Sequence, residues 1–340
     1  MTAAARAAVV QGMADWANPS SPHAEGRRAR AAFEDARARI ASAYGWRGEL
    51  LFTSGASESL ATALGRSTAS RRIVSAVEHD ACIRAAGAAE VLPVDADGIV
   101  DLRVLERLLA QGDRTIVAVQ WANSETGVRQ PIAEVAAVVR EAGALLLVDA
   151  AQMPASDELA DHAHFVALSA HKRGGPPGVG ALLVRDLATL HPSGGQERGY
   201  RGGTENLPGV LGYAAALAEP EPDHAGLRAM LDDAVRRSGG EVVAAGAPRH
   251  PAIGGYRLPG VASATQLIRL DLAGFAVSAG SACASGSLKP SHVLAAMGWS
   301  EAAGREVLRV SFGRTTTEEE VAAFIAAWRA MARATRRFVA

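Results

Sequence analysis

Lysine is almost absent from this 340-residue sequence, in which arginine carries nearly all of the positive charge and lysine occurs only at Lys172 and Lys289. A lysine amine can lose its proton and form an imine with a carbonyl group, whereas a guanidinium group stays charged. Lys172 follows the apolar run at 164–170 and precedes a loop rich in glycine and proline. Because ligands of open α/β sheets bind where strands end, this position predicts a Schiff-base lysine. A solvated surface lysine is the alternative.

A carboxylate ends another apolar run. Asp149 follows residues 144–148, which are typical of a strand buried on both faces, so its charge needs a partner. A protonated pyridine nitrogen is one such partner, and the ion pair would keep the ring cationic and strengthen it as an electron sink. Capping of the next helix or turn is the alternative. Gln152, three residues further on, could hydrogen-bond a phenolic oxygen of the same ring.

Residues 53–59, with the sequence TSGASES, follow an apolar run and lead into helical sequence. Backbone N–H groups and hydroxyl groups in such a turn can bind a phosphate. Ordinary helix capping explains the same pattern equally well. The segment has no lysine of the kind found in a Walker A loop, which argues against a nucleoside triphosphatase.

The two cysteines are too few for a disulfide framework or a cysteine zinc site. Cys283 lies in a run of small residues at 278–287, which predicts an exposed loop and a nucleophilic thiol. Cys82 lies on a predicted helix and is expected to be a small buried residue. His79 precedes that helix at a strand end, where an imidazole can stack on a flat ring and move protons. No spacing of histidines and carboxylates indicates a metal site, so no metal is expected.

Short apolar runs separated by helical stretches predict an α/β fold with a mostly parallel sheet covered by helices. The runs lie at 50–53, 72–77, 115–122, 144–151, 164–170 and 178–185. An amphipathic helix is predicted over residues 24–44, where apolar residues recur at helical spacing, namely Ala29, Phe33, Ala36 and Ile40.

The pattern changes near residues 219–224, where two prolines and three acids interrupt it. We therefore predict a large α/β domain at 1–222 and a smaller α+β domain at 223–340 that carries the cysteine loop. The second segment mixes helices with short strands, such as the one predicted in the sequence VLRVSFGR.

The charge of the chain gives no reason to expect nucleic acid or an anionic membrane as partner, because the formal net charge is -1 and the pI is about 6.8. No run of 18 apolar residues occurs, and the start of the chain lacks the compact apolar region of a secretion signal. We expect a cytoplasmic protein.

Taken together, these segments resemble the cysteine desulfurases, which belong to the fold-type I pyridoxal-phosphate enzymes and to the class V aminotransferase group. The resemblance runs from about Asn18 to Thr317 and rests on the blocks NPSSPH, FTSGASES, EH, NSETGVRQPI, VDAAQ, SAHK, GGQERGYRGGTEN, GSACASGSLKPSHVL and LRVSFGRTTTEEEV. The opening strand motif of that family has no counterpart before Asn18. Pairs of the His-Val and Ile-Tyr type are replaced by Trp121-Ala122 and Arg173-Gly174, so we expect the walls of the pocket to differ.

The resemblance implies pyridoxal 5'-phosphate as cofactor and a role for each matched residue. Lys172 would hold the cofactor as a Schiff base, and His79 would stack on its ring. Asp149 would pair with the ring nitrogen, and Gln152 would contact the phenolic oxygen. The implied phosphate ligands are Ala56, Ser57, Ser169, His171 and, from the second subunit of a homodimer, Thr204. The implied substrate ligands are Asn123 and Arg314.

The same resemblance implies conversion of L-cysteine to L-alanine, with the sulfur passing to Cys283 as a persulfide. An acceptor protein would then receive it for iron–sulfur cluster assembly or thiolation. Two alternatives stay open: a selenocysteine lyase or other class V aminotransferase-type enzyme, and a catalytically impaired scaffold without the N-terminal strand. The joint presence of the catalytic and binding residues argues against the scaffold, namely Lys172, Asp149, His79, Arg314 and Cys283.

Overall fold

The computed structural model of this chain describes residues 1–112, 114–280 and 290–339, so Cys283 and Lys289 lie outside the described residues. The strands are β1 (Glu49–Thr53), β2 (Arg71–Ser75), β3 (Glu90–Leu92), β4 (Thr115–Gln120), β5 (Leu145–Asp149), β6 (Phe165–Ser169), β7 (Gly180–Val184), β8 (Glu241–Val242), β9 (Ile253–Arg257), β10 (Ser278–Ala279) and β11 (Val307–Ser311). The α-helices are α1 (Ala3–Ala14), α2 (Ala24–Ala43), α3 (Ala56–Arg66), α4 (Asp80–Ala86), α5 (Leu102–Leu109), α6 (Ile132–Glu141), α7 (Leu207–Leu217), α8 (Ala225–Arg237), α9 (Ser263–Leu272), α10 (His292–Ala296), α11 (Glu301–Gly304) and α12 (Glu318–Val339). Short 3-10 helices span Ala170–Arg173, Leu187–Thr189 and Glu197–Gly199. Among these described helices, none is both long enough and apolar enough to cross a membrane.

The described residues form a larger sheet of seven strands in the order β1-β7-β6-β5-β4-β2-β3. Strand β7 runs antiparallel to both of its neighbours, and the other neighbouring pairs are parallel. The predicted mostly parallel sheet is therefore confirmed, and each predicted apolar run overlaps one of its strands. Within this sheet the sequence interpretation missed β3, a short edge strand on which Val91 is exposed.

Helices cover both faces of the larger sheet because each presents an apolar side to it. On α2 the residues Phe33, Ala36 and Ile40 are fully buried, as their spacing predicts. One face of the sheet packs against α2, α5, α6 and α7, and the other packs against α3 and α4. Cys82 on α4 is also fully buried, as predicted. Burial of each large apolar side chain contributes roughly 1.5–3 kcal/mol to the stability of these layers.

A second, antiparallel sheet of the described residues has the strand order β10-β11-β9-β8. Its core includes residues of α8, α9 and α12, and the rings of Tyr256 and Trp328 meet edge to face in it. A smaller apolar cluster joins Val77 and Val128 of the first part of the chain to Val243 of the second part. The strands of the two sheets lie on either side of residue 222 in the sequence. The division of the chain into two domains at that residue stays a prediction.

A buried ion pair fixes the loop that carries Thr204. Arg37 of α2 donates two parallel hydrogen bonds to Glu197, from Nη1 to Oε2 (2.7 Å) and from Nη2 to Oε1 (2.9 Å). The same carboxylate accepts the backbone N–H of Phe52 (2.8 Å), and the guanidinium group lies over the rings of Phe33 and Phe52. The Glu197 side chain is 1% exposed, so these contacts must offset the cost of burying its charge.

Replacement of Glu197 is expected to destabilise the protein strongly. Glu197→Gln removes the buried charge that Arg37 holds and leaves the guanidinium group only its more exposed partner Glu34, so it should lower the free energy of unfolding by about 2 kcal/mol. Denaturant titration followed by circular dichroism measures the difference. Glu301→Gln is the matched control, because Glu301 pairs with Arg305 on the surface, with side chains 62% and 66% exposed. An exposed pair contributes less than about 1 kcal/mol, so equal losses in the two variants would contradict this role of the buried pair.

Candidate active site

Several strands of the larger sheet end at one edge, and most of the predicted site residues follow those ends. The register places both Thr53 and Ser169 opposite Gly180, so the turn after β1 lies beside the end of β6. Asp149 ends β5 opposite Gln120, the last residue of β4. This edge therefore gathers residues that are far apart in the sequence, as expected for the ligand-binding side of an open α/β sheet.

Lys172 lies on the 3-10 helix that directly follows β6. Gly174 ends this turn in a left-handed conformation (φ +79°), and its carbonyl accepts the backbone N–H of Thr2 (2.8 Å). A Cβ atom at Gly174 would lie 2.6 Å from the Thr2 methyl group, so both conformation and space favour glycine. One cavity is lined by Lys172 together with His79 and Gln152. The structure therefore brings these three predicted residues together.

His79 is held as a neutral imidazole at the start of α4. The backbone N–H of Ala81 donates to its Nδ1 (3.1 Å), so the ring proton is on Nε2. Burial lowers the pKa of His79, the positive charge of Lys172 lowers it further, and the negative charge of Asp149 acts in the opposite direction. Imidazole, amine and carboxylate thus lie near enough to influence one another's charge, as in sites that move protons.

A second carboxyl group adjoins this cluster and was not predicted as a site residue. The Glu78 side chain is fully buried, and its Oε1 accepts the backbone N–H of Gln120 (2.7 Å). Burial, followed by the charge of Asp149, raises the pKa of Glu78 well above its usual range. Burial and then Glu78 also raise the pKa of Cys82, which makes that thiol inert. In the sequence, Glu78 appeared only as the neighbour of His79 in the two-residue block EH, which did not indicate a role for it.

The predicted phosphate ligands of this chain gather at the start of α3. Ala56 and Ser57 are the first residues of that helix, and Gly55 before them has φ +154°, a conformation that glycine adopts readily. Ser169 and His171, at the neighbouring end of β6, share a hydrogen bond between Oγ and Nδ1 (2.9 Å). A helix N-terminus with hydroxyl and imidazole groups beside it is suited to a phosphate.

Asn123 and Thr204 are predicted ligands whose roles stay predictions. Asn123 is 2% exposed, and its amide organises the loop after β4. Its Oδ1 accepts the backbone N–H groups of Glu125 (2.8 Å) and Thr126 (2.9 Å), and its Nδ2 donates to the Val77 carbonyl (3.1 Å). Thr204 is exposed, on the loop that the buried ion pair fixes.

Arg314 reaches the Lys172 turn from a distant part of the sequence. It lines a second cavity together with Lys172 and Arg173. Its Nη1 lies 2.8 Å from Oε2 of Glu221, and its Nη2 donates to the Pro220 carbonyl (2.7 Å). The structure thus brings the predicted carboxylate-binding arginine to the predicted Schiff-base lysine.

His250 lines both cavities, and the sequence interpretation missed it because no motif marks it. It is 7% exposed, its Nδ1 accepts the backbone N–H of Ala252 (3.0 Å), and its Nε2 has no hydrogen-bond partner within the described part of the chain. Burial, followed by the positive charges of Arg173, Arg228 and Arg129, lowers the pKa of His250 from 6.5 to about 4. A neutral imidazole therefore forms part of the wall between the two cavities.

These surroundings fit a pyridine cofactor with a phosphate group. Asp149 is a buried carboxylate, 8% exposed, and a protonated ring nitrogen would compensate its charge. Lys172 offers an amine to an aldehyde, and the start of α3 offers backbone N–H groups to a phosphate. Cys283, the predicted sulfur acceptor, lies outside the described residues.

Known proteins with the same architecture identify the family. Residues 2–324 match the family described as Aminotransferase class-V. The putative cysteine desulfurase IscS 1 of Bacillus subtilis strain 168 is 35% identical over 337 residues, which cover 90% of this chain and 88% of that protein. A cysteine desulfurase of Bradyrhizobium diazoefficiens is 39% identical over 345 residues, which cover 90% of this chain and 85% of that protein. The structure of a NifS-like protein from Rickettsia africae ESF-5 has a TM-score of 0.87 at 29% identity and covers 97% of this chain and 96% of that one.

The chain belongs to the class-V aminotransferase family, and its place within that family is among the cysteine desulfurases. The resemblance inferred from the sequence motifs is thereby confirmed. Enzymes of this family use pyridoxal phosphate, in agreement with the groups gathered around Lys172. The family match begins at residue 2 and so includes α1, which precedes the motif blocks.

The low pKa of His250 makes the stability of the protein depend on pH. As the pH falls from about 6.5 to about 4, the unfolded chain takes up a proton at this residue and the folded protein does not. The free energy of unfolding should therefore fall across this window, by about 3 kcal/mol in total. His250→Asn keeps an acceptor for the Ala252 N–H without a titrating ring and should lose this part of the pH dependence. Denaturant titrations at neutral pH and at about pH 4.5 measure the difference, and identical pH slopes in the two proteins would contradict it.

Proposed function

We propose that this chain is a pyridoxal-phosphate-dependent cysteine desulfurase that converts L-cysteine to L-alanine and takes up the sulfur on Cys283. The observation that carries the proposal is the meeting of Lys172, His79 and Gln152 in one cavity at the carboxyl edge of the sheet. A scaffold protein with no reaction to perform has no need of this amine and imidazole beside the buried Asp149 carboxylate. The cysteine desulfurases among its relatives support the choice of substrate.

Separate parts of the chain would hold the cofactor. Asp149 would pair with the ring nitrogen, the Lys172 amine would bind the aldehyde carbon, and the first residues of α3 with Ser169 would bind the phosphate. When bound, pyridoxal phosphate supplies an electron sink conjugated to the substrate amine.

The chain's own groups would then move the protons. The Lys172 amine, when it is not bound to the cofactor, would accept the Cα proton of the substrate. His79, with its proton on Nε2, is a neutral donor on the same cavity wall. Arg314 lines a cavity together with the lysine and would bind the substrate carboxylate through its guanidinium group.

The sulfur transfer balances without an external oxidant. The Cys283 thiolate attacks the sulfur of L-cysteine, a new S–S bond forms, and the substrate Cβ–S bond breaks. Cβ gains a proton and becomes the methyl group of L-alanine, so the carbon is reduced while Cys283 is oxidised to a persulfide. Cys283 stands among small residues in the sequence at 278–287, a setting that predicts an accessible, nucleophilic thiol. An acceptor protein of iron–sulfur cluster assembly or of a thiolation pathway would take the persulfide sulfur by thiol exchange.

The proposal includes a homodimer in which Thr204 contacts the phosphate bound by the second copy. The exposed position of Thr204 on an internally fixed loop supports this arrangement. A cytoplasmic location stays a prediction from the sequence.

The cofactor should be attached to one lysine and not to the other. Purified holoenzyme is expected to absorb at about 420 nm, and Lys172→Ala should abolish this band while Lys289→Ala keeps it. Because the chain has only these two lysines, borohydride reduction and peptide mass spectrometry give an independent measurement of the attachment site. A wild-type protein that stays colourless with added cofactor would favour the scaffold alternative.

Only Cys283, and not Cys82, should be required for sulfur transfer. Cys283→Ala should keep the absorbance of the bound cofactor and lower sulfide release from L-cysteine by at least about 100-fold, because the attacking thiol is lost. Cys82→Ala is the control, since Cys82 is fully buried and should not take part in the transfer. Sulfide release with a reductant is the measurement. Turnover of the Cys283 variant at the wild-type rate would show that the proposed sulfur transfer is wrong.

A further inference from the structure

The substrate-binding arginine already has a carboxylate beside it. Glu221 lies between two guanidinium groups, with Oε2 2.8 Å from Nη1 of Arg314 and Oε1 3.4 Å from Nη1 of Arg173. The second Nη of Arg314 donates to the carbonyl groups of Pro220 (2.7 Å) and Glu219 (3.4 Å). The segment at 219–221 therefore surrounds the group that should recognise the carboxylate of an amino acid.

The contact between Glu221 and Arg314 is close but poorly directed. Nη1 of Arg314 is buried and has no hydrogen-bond partner within the described residues, although Oε2 of Glu221 lies 2.8 Å away. A free carboxylate can approach a guanidinium group in its plane and accept two parallel hydrogen bonds. Glu221 is constrained against this approach because it stands between Pro220 and Pro222, whose rings restrict the backbone. An incoming carboxylate can therefore make a better contact with Arg314 than Glu221 makes.

Arg173 can stay paired with Glu221 after a ligand carboxylate has displaced Glu221 from Arg314. The Arg173 side chain is 9% exposed, and its other hydrogen bond goes to the Gln152 carbonyl (3.1 Å). Burying a cation without a negative partner is costly. We therefore expect Arg173 to remain paired with Glu221 when a ligand binds Arg314.

We propose that Glu221 is an internal competitor for the carboxylate of the substrate. It pairs with Arg314 in the ligand-free protein and is left on Arg173 alone when an amino acid binds. Glu221 is therefore a specificity-determining residue, because only a ligand with its own carboxylate can take Arg314 from it. The inference rests on the proposed function, in which Arg314 binds the carboxylate of L-cysteine.

Removal of the competing charge tests the inference. Glu221→Gln keeps an oxygen for Arg173 and should lower the KM for L-cysteine by about threefold to tenfold, as expected for loss of one partly exposed ion pair, with kcat changed by less than about twofold. The Kd of L-alanine, measured by calorimetry on the holoenzyme, should fall in the same ratio. Binding of ethylamine, which has the amine and no carboxylate, should not change. Glu221→Asp, which keeps the charge and shortens its reach, should move the KM in the same direction by a smaller factor.

Glu158→Gln is the matched control for charge. Glu158 lines the same cavity but pairs with Arg129 (3.4 Å), so its loss removes one negative charge and leaves Arg314 as it was. An unchanged or raised KM in Glu221→Gln would overturn the inference, and so would an equal fall in KM in Glu158→Gln. Absence of sulfide release from the wild-type holoenzyme would instead overturn the proposed function. The ratio of the Kd values of L-alanine for the Glu221→Gln and wild-type proteins then tests the competition for Arg314 independently of sulfide release.

Discussion

Two buried carboxyl groups near the carboxyl ends of the strands of the larger sheet determine how the charged groups around them are arranged. Asp149 is 8% exposed at the end of β5, and Glu78 is fully buried near it. Two ionised carboxylates cannot share such surroundings at low cost, and burial together with the charge of Asp149 raises the pKa of Glu78 well above its usual range. A cation beside Asp149 would offset the cost of burying its carboxylate. Backbone N–H groups of Gln120 and Ala151 hold the two carboxyl groups in place. The electrostatic character of this edge is therefore established by folding, before any ligand enters.

The cavity lined by Lys172, Arg173 and Arg314 also has its acidic groups paired with cations, but there positive charge is in excess. Cations outnumber acids among its charged lining residues, which are Arg129, Lys172, Arg173, Arg314, Glu158 and Glu221. Each acid is paired with arginine, and Glu221 is shared by two of them. An excess of positive charge attracts an anionic ligand, while the pairing prevents the empty cavity from carrying several uncompensated charges.

The features that were predictable from the sequence are those with a local cause. Strands buried on both faces leave unbroken apolar runs, so the six predicted runs correspond to strands, and Lys172 and Asp149 could be placed after two of them. Strand β3 has three residues and an exposed edge, and it therefore leaves no such run. The proximity of Glu221 to Arg314 and the burial of His250 had no local signal, because they arise where the segments after residue 218 pack against the first sheet. The pairing of Arg37 with Glu197 also left no local signal, because the two residues lie 160 positions apart in the sequence.

The pairing of Arg37 with Glu197 also affects how the loop that bears Thr204 can contact another protein. The Arg37 guanidinium lies 5.0 Å and 4.8 Å from the ring centroids of Phe33 and Phe52, and it holds Glu197 through two hydrogen bonds. All of these contacts are made within one chain, so the loop that bears Thr204 acquires its shape as the chain folds. In the proposed homodimer, a second copy that docks on this loop would meet a surface whose shape is already fixed. Little conformational entropy would then be lost on docking, and more of the contact energy would appear as affinity.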